Sequence, residues 1–381
     1  MKIIEAYPSF FESRLGGRYI TQEIISPLLS EYKNDYKISV IGSSEMGRNI
    51  EMIVVGNGPK KILAWSQMHG NESTTTKAIF DVLKFLRQKN VFQEAISTFL
   101  NEHSLYIIPI LNPDGAVLYT RENANEIDLN RDAQQQSQAE SRVLAKVFKD
   151  ISPHLCLNLH DQRTIYGFET GKVATVSFLA PAANEERSIT PARQAAMNCI
   201  ENMARALSCV IPGQIGRYDD SFNANCVGDS FQMANVPTIL FEAGHYPNDY
   251  QREETRKYIG LAMLTLFGFV TISEEKTTTY QALPENKKNY YDVLIKNVKS
   301  NRGEKKVSIA LQYREVLQEN SILFVPYIES IGDLDAFYGH KEIDANGMQV
   351  LINSQKKYEV GNKVSTIISK KENLVLFLNE N

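Results

Sequence analysis

From about residue 38 the chain alternates short apolar runs with amphipathic helical windows, and this constrains its fold more than any other feature of the 381 residues. Strands separated by helices build crossover units, so the pattern predicts an α/β fold. Glu51–Val55 and Ile62–Ser66 read as strands parted by the turn Gly56-Asn57-Gly58-Pro59. Thr74–Arg87 places Ile79, Phe80, Leu83 and Leu86 at helical spacing, with Ser73 or Thr74 able to cap its start. Leu105–Leu111 is continuously apolar, the pattern of a strand buried on both faces, and Asn112-Pro113-Asp114-Gly115 reads as a turn after it. Further on, Ala139–Lys149 and Pro191–Leu207 predict helices, while Leu155–His160 and Thr175–Leu179 predict strands. A Gly-, Asn- and Asp-rich loop is expected from Pro212 to Asp229, then a buried strand Pro237–Glu242 and a helix Arg252–Phe269.

The character changes after Ser273. Residues 274–301 are polar and Lys-rich, with strand-like Tyr291–Ile295 inside them. Beyond Lys305, short β-type runs dominate: Val307–Leu311, Ile322–Val325, Met348–Ile352, Lys363–Ile368 and Leu374–Leu378. The organisation read from this is a large α/β domain over 1–275 and a small, mainly β domain over 285–381.

Composition narrows the function classes. Net charge is −4, from 41 basic and 45 acidic residues, so no strong field favours nucleic acid or anionic lipid. The longest apolar stretch, Ile259–Ile272, is shorter than the ~18 residues that suggest a membrane span. Glu5 and Glu12 interrupt the N-terminal segment, which lacks the apolar core of a signal peptide, so a cytoplasmic location is expected. Cys156, Cys199, Cys209 and Cys226 show no CxxC spacing and read as buried thiols, not as a disulfide framework or a Cys-type zinc site.

The chemistry concentrates in Ser66-Gln67-Met68-His69-Gly70-Asn71-Glu72. A His and a Glu three residues apart, just past a buried strand, can turn toward one point. Imidazole nitrogen and carboxylate oxygen are zinc ligands, and a catalytic zinc takes three of them with a position left open. His160, at another strand end, is the third candidate. Taken alone, HxxE is more often a chance surface pair; the C-terminal edge of a sheet is where α/β enzymes place their sites.

Arg121 can stabilise a developing oxyanion, and Asn130 with Arg131 can clamp a substrate carboxylate. Asp128 can accept the second N–H of His69. Glu242, closing the strand Thr238–Phe241, is placed for general-base work. Each of these, alone, also reads as a surface charge or turn residue.

In this order the segments resemble the M14 (funnelin) zinc carboxypeptidases. The resemblance runs from Gly42-Ser43-Ser44-Glu45-Met46-Gly47-Arg48 through His69-Gly70-Asn71-Glu72, Asn112-Pro113-Asp114-Gly115 and Asp128-Leu129-Asn130-Arg131 to His160 and Phe241-Glu242. It implies a mixed, mostly parallel eight-stranded sheet flanked by helices. It also implies one zinc per chain held by His69, Glu72 and His160, with Arg121 polarising the scissile carbonyl. Asn130 and Arg131 would bind a terminal carboxylate, and Glu242 would activate a zinc-bound water. For the family's substrate-capping tyrosine, Tyr218 lies at about the right distance before Glu242, and Tyr246 fits less well. Asn71 stands where digestive members carry Arg, and Asp132 where Asn is usual.

The resemblance implies a peptide substrate. Aspartoacylase and succinylglutamate desuccinylase share the His-Gly-Asn-Glu and Asp-Leu-Asn-Arg motifs and a β-rich C-terminal domain, which keeps an N-acyl amino acid deacylase as the alternative. A silent peptide-binding module would require a lost ligand or base, and every position is filled. Of the remaining histidines, His103, His154 and His340 read as structural, while His245 lies three residues past Glu242. Trp65 reads as core, and Asp219-Asp220 as either a reader of substrate cations or a solvated loop.

Overall fold

The computed structural model describes residues 2–89, 92–270, 279–300, 306–369 and 376–377. In chain order, the helices α1 Lys2–Phe10 and α2 Gln22–Tyr32 precede the strands β1 Lys37–Ser43, β2 Asn49–Val55 and β3 Lys60–Ser66. Helices α3 Thr74–Leu86 and α4 Gln93–Glu102 lead to β4 His103–Ile108, followed by α5 Pro113–Leu118 and α6 Ala139–Ile151. Next come β5 Leu155–Asp161, β6 Tyr166–Gly167, β7 Val176–Leu179, α7 Pro191–Ser208 and β8 Ile215–Arg217. Helix α8 Val227–Met233, β9 Thr238–Ala243 and α9 Glu253–Leu266 follow.

Eight of these strands form one mixed sheet in the order β1-β2-β4-β3-β5-β9-β7-β8. The centre, β4-β3-β5-β9, is parallel, as is β7-β8, and the remaining pairings are antiparallel. Side chains alternate across this centre, which explains the continuous apolar runs. Ile62, Ala64, Leu157 and Leu159 enter one core with α2, α3, α7 and α9. Leu63, Trp65 and Cys156 enter the other with α6 and α8. Trp65 is core, edge-on to Phe231 at 5.4 Å.

Two local expectations are corrected. Asn112-Pro113-Asp114-Gly115 opens a helix: Asn112 Oδ1 caps α5 by accepting from Gly115 N–H at 2.8 Å, with Pro113 in the first turn. The loop expected over 212–229 contains β8 and the start of α8.

The chain divides into two compact units, residues 1–162 with 174–286 and residues 163–173 with 287–381. They are not collinear with a split at 275–285, because 163–173 leaves the first span to pair β6 with β10 Lys287–Lys288. The second unit is mainly β. Strands β11 Tyr290–Lys299, β12 Lys306–Gln318, β13 Ser321–Gly332 and β14 Tyr338–Asp344 form a sheet in the order β13-β12-β11-β14. A smaller sheet holds β15 Val350–Ile352, β16 Thr366–Ser369 and β17 Leu376–Phe377. The ends of the expected strand Leu374–Leu378 lie outside the described residues. Val293, Ile309 and Ile328 pack with Val350, Ile352 and Ile367 in the core of this unit. No helix among the described residues is long and apolar enough to cross a membrane. The four cysteines are free thiols as expected, but only Cys156 is buried; Cys199 and Cys226 are half-buried and Cys209 is exposed.

Candidate metal centre

The site forms where three parallel strands end. Past β3 the chain turns at Gln67, whose φ of +43° lies in the left-handed region. The buried Gln67 amide holds this turn, with Nε2 donating to the carbonyls of Ile20 and Gly70, both at 2.9 Å, and Oε1 accepting from Thr76 Oγ1 at 2.8 Å. No sequence signal marks this residue. Next to it, Gly70 lies so close to the backbone of Gly115 that a Cβ there would stand 1.9 Å from the Gly115 carbonyl carbon. Asn112 Nδ2 also donates to Met68 O at 3.2 Å. The two glycine-containing motifs are thus one packing unit. Asp114 joins the third motif to it by accepting from Ser44 Oγ at 2.9 Å, Met46 N–H at 3.0 Å and Arg48 Nη1 at 2.6 Å.

His69, Glu72 and His160 converge here, all buried, with one ligand atom from each within 4.8 Å of the others. His69 Nδ1 lies 2.8 Å from Glu72 Oε1, and His160 Nδ1 lies 2.9 Å from Glu72 Oε2 and 3.0 Å from His69 Nδ1. The other ring nitrogen of His69, Nε2, is 3.0 Å from Asp128 Oδ1. Burial would raise the Asp128 carboxyl, but the hydrogen bond and charge of His69, with Arg121, hold it far below the usual range. An ionised carboxylate only accepts, so Nε2 carries the hydrogen, and in the neutral ring Nδ1 is the nitrogen left to bind a metal. Glu72 sets one carboxylate oxygen beside each imidazole Nδ1, and His160 Nε2 is buried without a hydrogen-bond partner. This donor set fits a zinc ion.

Around the centre, Arg121 Nη1 lies 3.2 Å from Glu72 Oε1, and its Nε and Nη2 donate to Asp128 Oδ2 at 3.2 and 3.1 Å. Asn130 N–H donates to Asp128 Oδ1 at 2.8 Å, and Asn130 Oδ1 accepts from Val227 N–H at 3.1 Å. Arg131 is exposed, 3.0 Å from Cys226 Sγ. Glu242 pairs with His160 in the β5–β9 register. Burial, then the negative charges of Glu72 and Asp161, push its carboxyl well above the usual range. Glu72 itself is held well below that range, since His69 and His160 outweigh its burial.

Tyr218 follows the edge strand β8, half-buried, its N–H donating to Phe178 O at 2.9 Å, and Tyr246 packs on Tyr258 at 5.6 Å. Asp220 is neutralised within the chain by Arg193 at 2.7 Å and Arg187 at 3.2 Å, so it is no free reader of a substrate cation. His103 stacks on Phe99, His154 Nδ1 accepts from Lys61 N–H, His340 stacks on Tyr290, and His245 is buried against Tyr250. None of these four joins the His69 cluster.

The family description "Zinc carboxypeptidase" (Peptidase_M14) matches residues 21–226, more than half of the chain. The chain belongs to the M14 zinc carboxypeptidase family. The match covers His69, Glu72, Arg121, Asn130, Arg131 and His160 and ends before Glu242. Carboxypeptidase M of Mus musculus is 29% identical over 206 residues, 46% of this chain and 45% of that protein. Carboxypeptidase 2 of Trichophyton rubrum is 27% identical over 104 residues, 27% of this chain and 19% of that protein. The chain thus spans less than half the length of these curated relatives. In fold it is similar to a metallo-carboxypeptidase from Burkholderia cenocepacia, with a TM-score of 0.54 and 15% identity over 66% of this chain and 69% of that one. A metallo-carboxypeptidase from Pseudomonas aeruginosa has a TM-score of 0.51 and 19% identity over 66% of this chain and 68% of that one.

Proposed function

We propose that the M14 unit of this chain is a metallocarboxypeptidase that removes the C-terminal residue of a peptide, with one zinc ion held by His69, Glu72 and His160. The observation that carries the reading is the convergence of His69, Glu72 and His160, all buried, with one ligand atom from each within 4.8 Å of the others. Bound zinc supplies Lewis acidity, polarising the scissile carbonyl and lowering the pKa of water.

The protein's own groups do the rest. Arg121, fixed by Asp128, offers a guanidinium to the oxygen that gains negative charge. Asn130 and Arg131 hold the terminal α-carboxylate, which sets where along the peptide the cut falls. Glu242 takes the proton of the attacking water as the new C–O bond forms. It returns that proton to the amine nitrogen as the C–N bond breaks. Its raised proton affinity suits both halves of this transfer.

Release of free amino acid from short peptides tests the reading. Chelation should abolish release and zinc should restore it, while amidation of the peptide C-terminus should reduce it at least ~100-fold, since the carboxylate contacts are lost. Equal cleavage of amidated peptides, or activity that survives removal of the metal, overturns it.

A further inference from the structure

A cavity of about 640 Å³ opens on the α6–α8 face of the sheet. Such a volume is ordinary for a small-molecule site. Its floor is the apolar set Met68, Leu111, Leu129, Leu144, Val227 and Phe231, all buried. Its rim is cationic: Arg142, Lys146 and Lys149 line it against a single carboxylate, Asp150. These three cations are spaced four and three residues apart, on one stripe of α6. Arg142 donates to the carbonyls of Gln136 and Ser137 and lies 3.6 Å from Glu45 Oε1, and Lys146 pairs with Asp150. Lys149 has no ion-pair partner among the described residues.

We propose that this cavity binds a monoanionic amphiphile, a carboxylate on an unbranched apolar chain, with the chain on the Leu129–Phe231 floor and the head at Lys146 and Lys149. The floor abuts the metal centre. Met68 precedes His69, and Leu129 lies between Asp128 and Asn130. Val227 donates its N–H to Asn130 Oδ1. An occupant pressing on Leu129 and Val227 therefore moves Asn130 and changes KM for peptides. The coupling, though not the binding, rests on the carboxylate role proposed for Asn130.

Calorimetric titration of the zinc-loaded full chain with hexanoate, octanoate and decanoate, below their critical micelle concentrations, tests the site without reference to activity. One saturable site is expected, tightening up to roughly fourfold per added methylene. Decylamine should bind at least tenfold more weakly than decanoate. Ala145→Trp, a half-buried position that can carry the ring into the cavity, should abolish binding, and the exposed Lys149→Glu should weaken it at least fivefold with an unchanged melting temperature. Absence of saturable binding overturns the proposal. So does decylamine binding as tightly as decanoate, or decanoate binding that is unchanged in both variants. A peptide KM that shifts at saturating decanoate in the wild type but not in Ala145→Trp supports the coupling. Binding with an unchanged KM overturns the coupling.

Discussion

His160 and Glu242 occupy the same rung of the parallel pair β5–β9. Register partners project to the same side of a sheet, so the proposed third metal ligand and the proposed base are set side by side by backbone hydrogen bonding alone. The arrangement separates two roles that substitution can distinguish. Glu242→Gln keeps size and hydrogen-bonding capacity but removes the proton acceptor. It should lower kcat roughly 10²–10⁴-fold while leaving zinc content at one per chain, measured by atomic emission. A parallel loss of zinc would make Glu242 a ligand and not the base.

Asp128 acts one step further out. Its Oδ1 fixes the His69 tautomer and also accepts from Asn130 N–H, while Oδ2 holds Arg121. Asp128→Ala should weaken zinc roughly 10–100-fold in a chelator competition assay, as loss of such an outer partner does elsewhere. It should also slow turnover at saturating zinc, because Arg121 loses its anchor. A variant that recovers wild-type kcat once zinc is saturating would reduce Asp128 to a metal-affinity residue.

His69 and Glu72 were legible because they follow the buried strand β3, and His160 because it lies near the end of β5; apolar runs such as Ile62–Trp65 announce such strands. The turn chemistry between them was not. Asn112 looks like a turn residue but caps a helix, and Gln67 sits in left-handed backbone with nothing local to mark it. The first turn of α8 was hidden behind a Gly-, Asn- and Asp-rich stretch whose propensity favours loop; burial of Val227 and Phe231 decides otherwise. Residues 163–173 were out of reach for another reason. Their place in the second unit depends on the short pairing of Gly167 and Tyr166 with Lys287 and Lys288, a long-range contact that no window of local sequence contains.

Gly70 gives a steric prediction. A methyl at this position meets the backbone of Gly115, which cannot rotate away, so the metal-ligand turn and α5 must part. Gly70→Ala should therefore weaken zinc binding by at least ~10-fold while far-UV circular dichroism stays native, since the strain falls on one turn. Full zinc affinity in this variant would show that the two segments have slack.

Asp81 and Arg256 form a fully buried pair between α3 and α9, with Nε and Nη2 of the guanidinium on the two carboxylate oxygens at 2.7 and 2.6 Å. Tyr7 and the Glu12 N–H complete the carboxylate, and the carbonyls of Glu12 and Leu15 complete the guanidinium. Removing the Asp81 carboxylate leaves the buried Arg256 with Glu253 Oε2, at 3.1 Å, as its remaining ion-pair partner, and removing Arg256 leaves the Asp81 charge buried. Asp81→Ala should cost about 3–5 kcal/mol in urea unfolding, whereas Asp81→Leu with Arg256→Met should recover much of that loss. A double variant as unstable as the single one would show that the ties to the N-terminal segment, and not charge balance, set the cost.

Lys77 carries the last prediction, which concerns alkaline pH. Its side chain is fully buried on α3, and burial lowers its pKa to about 8 despite the pairing with Glu253 at 2.6 Å. In the unfolded chain the ammonium should titrate near ~10.4. Below pH 8 both states hold the proton and the desolvation penalty is complete. Between about pH 8 and 10.4 the native state has released a proton that the unfolded state retains, so this group's contribution to stability rises with pH. Comparing wild type with Lys77→Met cancels every other titration. From pH 7.5 to 9.5 the wild type should gain up to about 2 kcal/mol relative to the variant in urea unfolding. A difference that stays constant with pH, or shrinks in the wild type's disfavour, would mean that Lys77 keeps its proton in the fold and that Glu253 outweighs its burial.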